Sequence, residues 1–354
     1  MAKKKRASEI SLDPGTIYFI GERDLVSGEE TAYVKIGLTK LDRSPEDRED
    51  NLKTGNPREL FVKHQEYVPL VHSVERALRY EFRLQNVLLE WHVFRPDSPK
   101  KLSEAISVCQ QLGKEFIEYV PVIEKAKSLG SSESIGDVKP KTPDAEHWWR
   151  EYLIHSHVMN LEASAQKQFA DLAKSAAAEG RPAPTGTITR ESTREVVDWV
   201  RFEKDHPDIW AAFQTSIFSR KFNSKGKLLS SDLQTPLVLD VKSRVDRFDE
   251  LLKNPASEEP EYYSDLFRQF LMIEEIASFS SFRKELARCQ LSALCGDAPG
   301  IQDLVVWKSS YTIKPDYKGI QNAHSQLVDD YKREEVIIST GTEAAGTIAG
   351  ETKE

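Results

Sequence analysis

The sequence predicts an α+β protein in which a small antiparallel sheet flanked by helices is followed by a mostly α-helical domain. The first hundred residues alternate short β-branched and aromatic segments with amphipathic segments of helical period. From residue 145 onwards, apolar residues recur mainly with the helical period. A stretch rich in Gly, Ser, Pro and Lys separates the two patterns and predicts a linker over residues 129–144.

Three strands are predicted in the N-terminal part of the chain. Residues 15–20 form an apolar segment rich in β-branched and aromatic side chains, and Gly21 follows it. Residues 31–39 alternate polar and apolar side chains, so we expect them to pair with the first strand as a hairpin with a long polar loop. Residues 60–68 predict the third strand, and residues 91–94 predict a brief extended segment.

Three helices are predicted beside these strands. The segment Ser44-Pro45-Glu46-Asp47 combines a serine cap, a proline in the first turn and acids near the positive helix end, and Gly55 predicts where this helix stops. Residues 71–87 carry apolar side chains along one stripe, which predicts the second helix, and residues 99–112 predict the third. The resulting β-β-α-β-α order is typical of a small α+β domain.

Helical patterns dominate after the predicted linker. Helices are expected over residues 147–179, 191–220, 239–253 and 262–294. The second of these predictions depends on Ser192 and Glu195, which have the spacing of a capping box. Residues 303–311 predict a strand, and the sequence shows no internal repeat.

These patterns predict five segments. They are a basic flexible tail over residues 1–14, a small α+β domain over 15–128, the linker over 129–144, a mainly helical acidic domain over 145–336 and a disordered tail over 337–354.

Composition narrows the class of protein. The net charge of −8 argues against nonspecific binding of nucleic acid by the whole molecule, although the N-terminal third is nearly neutral and permits a local basic groove. No apolar stretch approaches the roughly 20 residues that span a bilayer, so no membrane partner is expected. Three cysteines provide neither a disulfide framework nor a zinc quartet, and they favour a reducing, cytoplasmic location.

Four side chains in the first hundred residues are candidates for chemistry. Tyr18 and Lys35 lie on the two predicted hairpin strands, and Arg48 and Glu75 on the two predicted helices that follow. Taken one by one, each has an ordinary structural explanation, such as a half-buried strand tyrosine or a surface pair of Glu75 with Arg79. Their order along the chain is the informative observation.

This order resembles the GIY-YIG nuclease superfamily, and most of all its phage and bacterial branch, in which lysine commonly opens the second motif. The matched segments are Ile17-Tyr18-Phe19, Lys35-Ile36-Gly37, Arg48, Thr54-Gly55-Asn56-Pro57, Glu75 and Glu90-Trp91. The resemblance covers about residues 15–95, and its specificity lies in order and spacing.

The resemblance implies a one-metal hydrolysis of a DNA phosphodiester. Glu75 is expected to hold Mg²⁺ or Mn²⁺ and Tyr18 to help remove the proton of the attacking water. Arg48 is expected to stabilise the transition-state charge, and Lys35 to orient the water or neutralise phosphate. We expect Arg48 and Glu75 to come from helices flanking the sheet face that displays Tyr18 and Lys35. The basic residues expected to contact nucleic acid are Lys40, Lys53 and Arg79.

Two departures from the family pattern leave other functions open. Thr16 stands where the first motif has glycine, and Arg79 stands where this branch often has histidine. The main alternative is therefore a catalytically inactive nucleic-acid-binding or assembly protein that retains the nuclease fold. The helical domain is expected to serve targeting, self-association or a protein partner, or to restrain the nuclease. A role in defence against phage or mobile DNA is an expectation from the family's usual context.

Overall fold

The computed structural model describes residues 10–41, 44–45, 58–88, 90–94, 100–179, 187–253 and 260–342. It confirms the predicted α+β class, because an N-terminal five-stranded antiparallel sheet is followed by a mostly helical region. Within those ranges, no helix is both long and apolar enough to cross a lipid bilayer.

Five strands form the N-terminal sheet, in the order β3-β1-β2-β5-β4. They are β1 (Gly15–Asp24), β2 (Glu30–Lys40), β3 (Arg58–Val68), β4 (Asn86–Leu88) and β5 (Trp91–Val93). The predicted hairpin, third strand and brief extended segment are thus confirmed. The β1–β2 turn contains Gly28 with a φ of 71°, a left-handed value that favours glycine.

Alternation along β1 gives the sheet two buried faces. Ile17 and Phe19 lie on the face that packs against helix α1 (Val71–Glu81). Tyr18 and Ile20 lie on the opposite face, in a separate apolar cluster with Leu60. Because side chains alternate with a period of two, the strand register decides which residues can meet on each face.

Two further helices, α2 (Lys100–Ile117) and α3 (Val120–Gly130), complete the N-terminal core. Val74 and Leu78 of α1 are fully buried in it. The same core also includes Phe282 and Leu286 from the long helix Pro260–Cys295 of the C-terminal region. The sheet and the helical region therefore share one continuous apolar core, in which each large buried side chain contributes about 1.5–3 kcal/mol.

In the described part of the C-terminal region, six α-helices and strands and one short 3-10 helix (Asp232–Gln234) precede the second long helix, and six elements follow from that helix onwards. The first group is α4 (Pro143–Ala178), β6 (Thr187–Val197), α5 (Trp199–Asp205), α6 (Pro207–Ala212), β7 (Gln214–Ser224) and α7 (Pro236–Lys253). The second group is α8 (Pro260–Cys295), β8 (Gly300–Ile301), β9 (Val305–Pro315), α9 (Tyr317–Ala323), α10 (Ser325–Asp329) and β10 (Lys332–Thr342).

The two long helices form an antiparallel pair. Phe169 of α4 stacks on Phe270 of α8 with ring centroids 4.5 Å apart. Further along, Arg283 Nη2 of α8 donates to Glu151 Oε2 of α4 at 3.2 Å. Since partner numbers fall along α8 as they rise along α4, the helices run in opposite directions.

The C-terminal region contains an internal repeat that the sequence did not reveal. The series β6-α5-α6-β7 begins at residue 187, and the series β9-α9-α10-β10 begins at residue 305, which is 118 residues later; both have strands of 11 residues. Both copies begin their first short helix with an aspartate cap. The Asp198 carboxylate accepts from the Arg201 N–H at 3.1 Å, and the Asp316 carboxylate accepts from the Gly319 N–H at 3.0 Å.

The two copies exchange strands, because β6 pairs with β10 and β7 pairs with β9. The exchange is reciprocal at the backbone. The Asp198 N–H donates to the Tyr331 carbonyl at 2.9 Å, and the equivalent Asp316 N–H donates to the Phe213 carbonyl at 2.8 Å. A shared apolar hub joins the short helices, and its buried members are Phe202, Trp210, Ile320, Val328 and Tyr331. The two copies of the repeat are therefore related by a pseudo-twofold axis.

Four sequence expectations about this region were wrong. The helix expected over residues 191–220 is divided between two strands and two short helices, because β6 and β7 are paired along 11 residues with β10 and β9. The capping-box spacing of Ser192 and Glu195 falls inside β6, and the aspartate at 198 caps the helix instead. The absence of a repeat is contradicted as well. Residues 337–342, expected to be disordered, end strand β10.

The predicted segment boundaries also differ from the structure at two places. Ile10, which we assigned to the flexible tail, is buried in the N-terminal core. The predicted linker packs along the C-terminal region, since the Lys139 N–H donates to the Gly300 carbonyl at 3.1 Å and the Ile135 N–H to the Asp297 carbonyl at 2.8 Å. The predicted helix after Ser44-Pro45 lies almost wholly outside the described residues.

Candidate active site

Tyr18 lies in the middle of β1, with Gly37 of β2 as its direct cross-strand partner. The tyrosine is 1% exposed. Its ring lies across Gly37, because a Cβ at position 37 would be 2.5 Å from Cζ of Tyr18 and closer still to Oη. The glycine therefore lets the phenol cross β2 towards the side of the sheet that carries β5.

Lys35 lies on the same sheet face as Tyr18, since it pairs directly with Ile20. Its Nζ forms an ion pair with Oε2 of Glu90 at 2.6 Å. Glu90 is fixed by the sheet, because its carbonyl accepts from the Ile36 N–H at 2.8 Å. The Lys35 ammonium also lies 6.0 Å from the ring centroid of Trp91. The Glu90-Trp91 pair of the resemblance thus forms the surroundings of Lys35.

Glu75 lies on α1, beside the stripe that packs on the sheet. Burial raises the pKa of the Glu75 carboxyl to about 7; the charge of Arg79 opposes this rise, and the charges of Glu90 and Glu275 add to it. Two further carboxylates therefore repel the charged form of Glu75. A cation at this point would relieve that repulsion.

The geometry corrects one expectation about Glu75. Its helix does not flank the face that displays Tyr18, because the buried side chains of α1 pack on the opposite face, against Ile17 and Phe19. Glu90 is the residue that links the two groups, because it pairs with Lys35 and its charge raises the pKa of Glu75. Tyr18 lies on the same sheet face as Lys35, opposite the face on which the buried side chains of α1 pack.

Arg79 lies one turn after Glu75 and forms an ion pair with Glu275 of α8. The Glu275 side chain is 8% exposed. Burial alone would lower the pKa of Arg79, but the charges of Glu275 and Glu75 outweigh it and raise that pKa. The guanidinium expected to contact nucleic acid is thus held inside the protein, between α1 and the C-terminal region.

His92 lies beneath this group and is fully buried. Its Nδ1–H donates to the Glu90 carbonyl at 3.1 Å, while its buried Nε2 has no hydrogen-bond partner among the described residues. Burial lowers the pKa of His92 to about 4; the hydrogen bond that His92 donates to the Glu90 carbonyl opposes this shift, and the charge of Arg79 adds to it. The imidazole is therefore neutral near pH 7 and holds the Glu90 backbone.

The remaining predicted residues are separated from this group or lie outside the described residues. Lys40 forms an exposed ion pair with Asp13 at 2.9 Å, at the far end of β2. Arg48 and Lys53 lie outside the described residues, as does the segment Thr54-Gly55-Asn56-Pro57.

The donor set fits a divalent ion only in part. Among the described residues, no group of three or more His, Cys, Asp and Glu side chains is arranged to hold a metal ion. Mg²⁺ keeps several waters, however, and can be bound by one or two carboxylates together with substrate phosphate. Glu75 fits that role in part, because burial and the charges of Glu90 and Glu275 disfavour its charged form, against the opposing charge of Arg79, and because Glu90 is already paired with Lys35.

Three residues of the site were missed by reasoning from the sequence. Glu90 belongs to a motif that was noted, but its pairing with Lys35 was not foreseen. His92 sits in an extended segment between apolar neighbours, a position that indicates burial and gives no sign of a partner. Glu275 is separated from Arg79 by 196 residues, so no local pattern could have found it.

Comparison of the chain with protein-family models, with curated proteins and with solved structures finds no match of any of the three kinds.

Proposed function

We propose that the N-terminal domain is a metal-dependent endonuclease that hydrolyses phosphodiester bonds of DNA. The observation that carries the proposal is that Glu90 pairs with Lys35 and that its charge also acts on Glu75, whose carboxyl has a pKa of about 7. Tyr18 lies on the same sheet face as Lys35, and its phenol crosses Gly37. Groups with strongly shifted pKa values gather at functional sites more often than elsewhere.

Each side chain has a defined task in this proposal. Glu75 holds the divalent ion, which supplies a Lewis acid for the scissile phosphate when bound. Tyr18 hydrogen-bonds the attacking water and helps to remove its proton. Lys35, held in place by Glu90, offers its ammonium to a phosphate oxygen. Arg48 is proposed to stabilise the additional negative charge of the transition state, a contribution that is typically about 3–4 kcal/mol for one well-placed group.

The pKa of Glu75 gives the proposal a pH dependence. Only the deprotonated carboxylate binds a hard cation. Because burial raises the pKa of Glu75 to about 7, binding of Mg²⁺ and cleavage should both increase from pH 6 to pH 8.

The test is nicking of a supercoiled plasmid by the full chain in Mg²⁺, in Mn²⁺ and in EDTA. Wild type is compared with Glu75→Gln, which keeps the shape of the side chain, and with Tyr18→Phe, which removes only the hydroxyl. The matched control is Glu81→Gln, because Glu81 is an exposed acid on the same helix.

We expect metal-dependent nicking by wild type and Glu81→Gln, and a loss of at least 100-fold in Glu75→Gln, consistent with the removal of about 3 kcal/mol of transition-state stabilisation. Equal nicking by Glu75→Gln and wild type would overturn the proposal. A wild type that binds DNA but does not cut it in either metal would favour the non-hydrolytic alternative.

A further inference from the structure

The ribbon formed by β7 and β9 has one face that is polar and basic. The strands pair without interruption from Gln214–Pro315 to Ser224–Val305. Side chains alternate, so five cross-strand pairs share one face, which we call the lysine face. These pairs are Thr215–Lys314, Ile217–Thr312, Ser219–Ser310, Lys221–Lys308 and Asn223–Val306. All ten residues are exposed or partly exposed.

The lysine face carries positive charge that no carboxylate of the described residues neutralises. Residues 214–229 and 304–315 contain no Asp or Glu. Lys221 and Lys308 are direct cross-strand partners, an arrangement in which like charges destabilise a sheet. Among the described residues, neither of these lysines nor Lys314 has a carboxylate within ion-pair distance. An anionic partner would explain a charge pair that the fold itself does not favour.

The pseudo-equivalent ribbon of β6 and β10 provides an internal comparison. Its basic residues are balanced by acids on the same two strands. Lys332 Nζ lies 2.9 Å from Glu195 Oε2, and Arg194 Nη2 lies 3.8 Å from Glu335 Oε2. The two ribbons have the same length and the same place in the repeat, but only the β7–β9 ribbon leaves its lysines unbalanced.

The opposite face of the β7–β9 ribbon is anchored to the protein. Arg220 is buried, and its guanidinium lies 3.7 Å from the ring centroid of Trp307. It also donates to the Gly296 carbonyl at 2.8 Å and to the Trp307 carbonyl at 3.0 Å. A carboxylate lies on this side too, where Tyr311 Oη donates to Glu133 at 2.7 Å. These contacts fix the opposite face of the ribbon to the protein, so the lysine face points away from it.

We propose that the lysine face binds the phosphate backbone of double-stranded DNA. Lysine, hydroxyl and amide side chains are the usual partners of phosphate oxygens. The 11 residue pairs extend over about 34 Å, which is close to one turn of B-form DNA. The major groove of DNA admits a two-stranded ribbon, whereas that of an RNA duplex is too narrow and deep. The inference goes beyond the catalytic proposal and does not depend on it.

The test measures binding of a fluorescent 24-base-pair DNA by the full chain in EDTA, so cleavage cannot interfere. Affinity is determined at several salt concentrations for wild type and for Lys221→Gln/Lys308→Gln. The matched control is Arg194→Gln/Arg333→Gln, which removes two positive charges from the other ribbon. An RNA duplex of the same sequence is a second probe, and thermal unfolding reports whether each variant is folded.

We expect the lysine variant to bind at least about tenfold more weakly at 0.1 M salt and to lower the salt slope by about 2, because each phosphate contact contributes about 0.9. The control should change affinity less than about twofold. The single variants Lys221→Gln and Lys308→Gln, each expected to lower the slope by about 1, decide the question if the double variant does not fold.

Four results would overturn the proposal: no binding of DNA by wild type, an unchanged slope in the lysine variants, equal losses in both ribbons, or tighter binding of duplex RNA through the same lysines. None of these results depends on nicking activity. The lysine face and the catalytic site can therefore fail independently of each other.

Discussion

Tyr18 lies across Gly37, and its phenol occupies the space that any side chain at position 37 would need. The two residues are direct partners in the β1–β2 ladder, and a Cβ at position 37 would be 2.5 Å from Cζ of Tyr18. The position of the hydroxyl is therefore set by the absence of a side chain on the neighbouring strand. The ring at position 18 and the glycine at position 37 therefore depend on each other, because a side chain at position 37 would displace the ring.

Gly37→Ala should displace the phenol and weaken both the fold and the site. Insertion of a methyl group into a packed cluster typically costs about 1–3 kcal/mol. We expect a loss of that size in urea unfolding, together with at least a tenfold loss of nicking. Gly130→Ala is the control, because a Cβ there meets no atom within 4 Å. Full activity of Gly37→Ala with unchanged stability would show that the phenol is not held as described.

Glu75 should make the metal-free protein less stable as the pH rises. The folded-state pKa is about 7 and the ordinary value is 4.5, so the folded state binds the proton more tightly between these values. The stability contribution of the protonated carboxyl is complete below about pH 4.5 and is lost as the pH rises through 7. The loss is at most about 3 kcal/mol, at 1.36 kcal/mol per unit of pKa.

The measurement is the difference in unfolding free energy between wild type and Glu75→Gln at pH 5, 6, 7 and 8, without divalent ions. His92 titrates with the opposite sign in part of this range, because its lowered pKa makes stability fall as the pH drops from about 6.5 to 4. Taking the difference between the two proteins removes that contribution. A constant difference across the pH range would contradict the environment assigned to Glu75.

Arg79 and Glu275 should shift the pKa of Glu75 in opposite directions. The Arg79 charge lowers the pKa of Glu75, and the Glu275 charge raises it. Arg79→Met should therefore move the pH midpoint of Mg²⁺-dependent nicking upward, and Glu275→Gln should move it downward. A role limited to packing would leave both midpoints in place.

The same pair should show strong coupling in stability. Removal of one partner of a buried ion pair typically costs about 3–5 kcal/mol, because the other charge is left uncompensated. We expect the double variant Arg79→Met/Glu275→Gln to recover much of that loss in a double-mutant cycle. Additive losses would show that the α1–α8 ion pair is not a coupled unit.

The sequence predicted the elements whose signal is local. The alternation at residues 31–39 and the apolar stripe of α1 identify β2 and that helix, because one buried face imposes a period on nearby residues. The pairs Lys35–Glu90 and Arg79–Glu275 join distant residues, and ion pairs leave no period in the sequence. β6 was taken for a helix because a capping-box spacing is local, whereas its pairing with β10 spans more than 100 residues.

The repeat was hidden for a related reason. Phe202 occupies the place of Ile320 in the hub, and Trp210 that of Val328. The two copies keep apolar character and element length but not residue identity. Only the aspartate caps at 198 and 316 and the histidines at 206 and 324 are the same residue at matching helix ends.

Lys308→Glu should stabilise the protein while it weakens binding to DNA. The new carboxylate would face Lys221 directly and replace a repulsive cross-strand pair by an attractive one, a change of roughly 0.2–1 kcal/mol.

The complementary experiment is Glu335→Lys on the other ribbon, which places a lysine opposite Arg194 and should destabilise the protein by a similar amount. Unfolding in urea and anisotropy with the 24-base-pair duplex are measured on the same preparations. If Lys308 served stability, its replacement would lower both the stability of the protein and its affinity for DNA. If Lys308 serves DNA binding, the replacement raises the stability and lowers the affinity. A Lys308→Glu protein that is less stable, or that binds DNA as well as wild type, would contradict this interpretation of the lysine face.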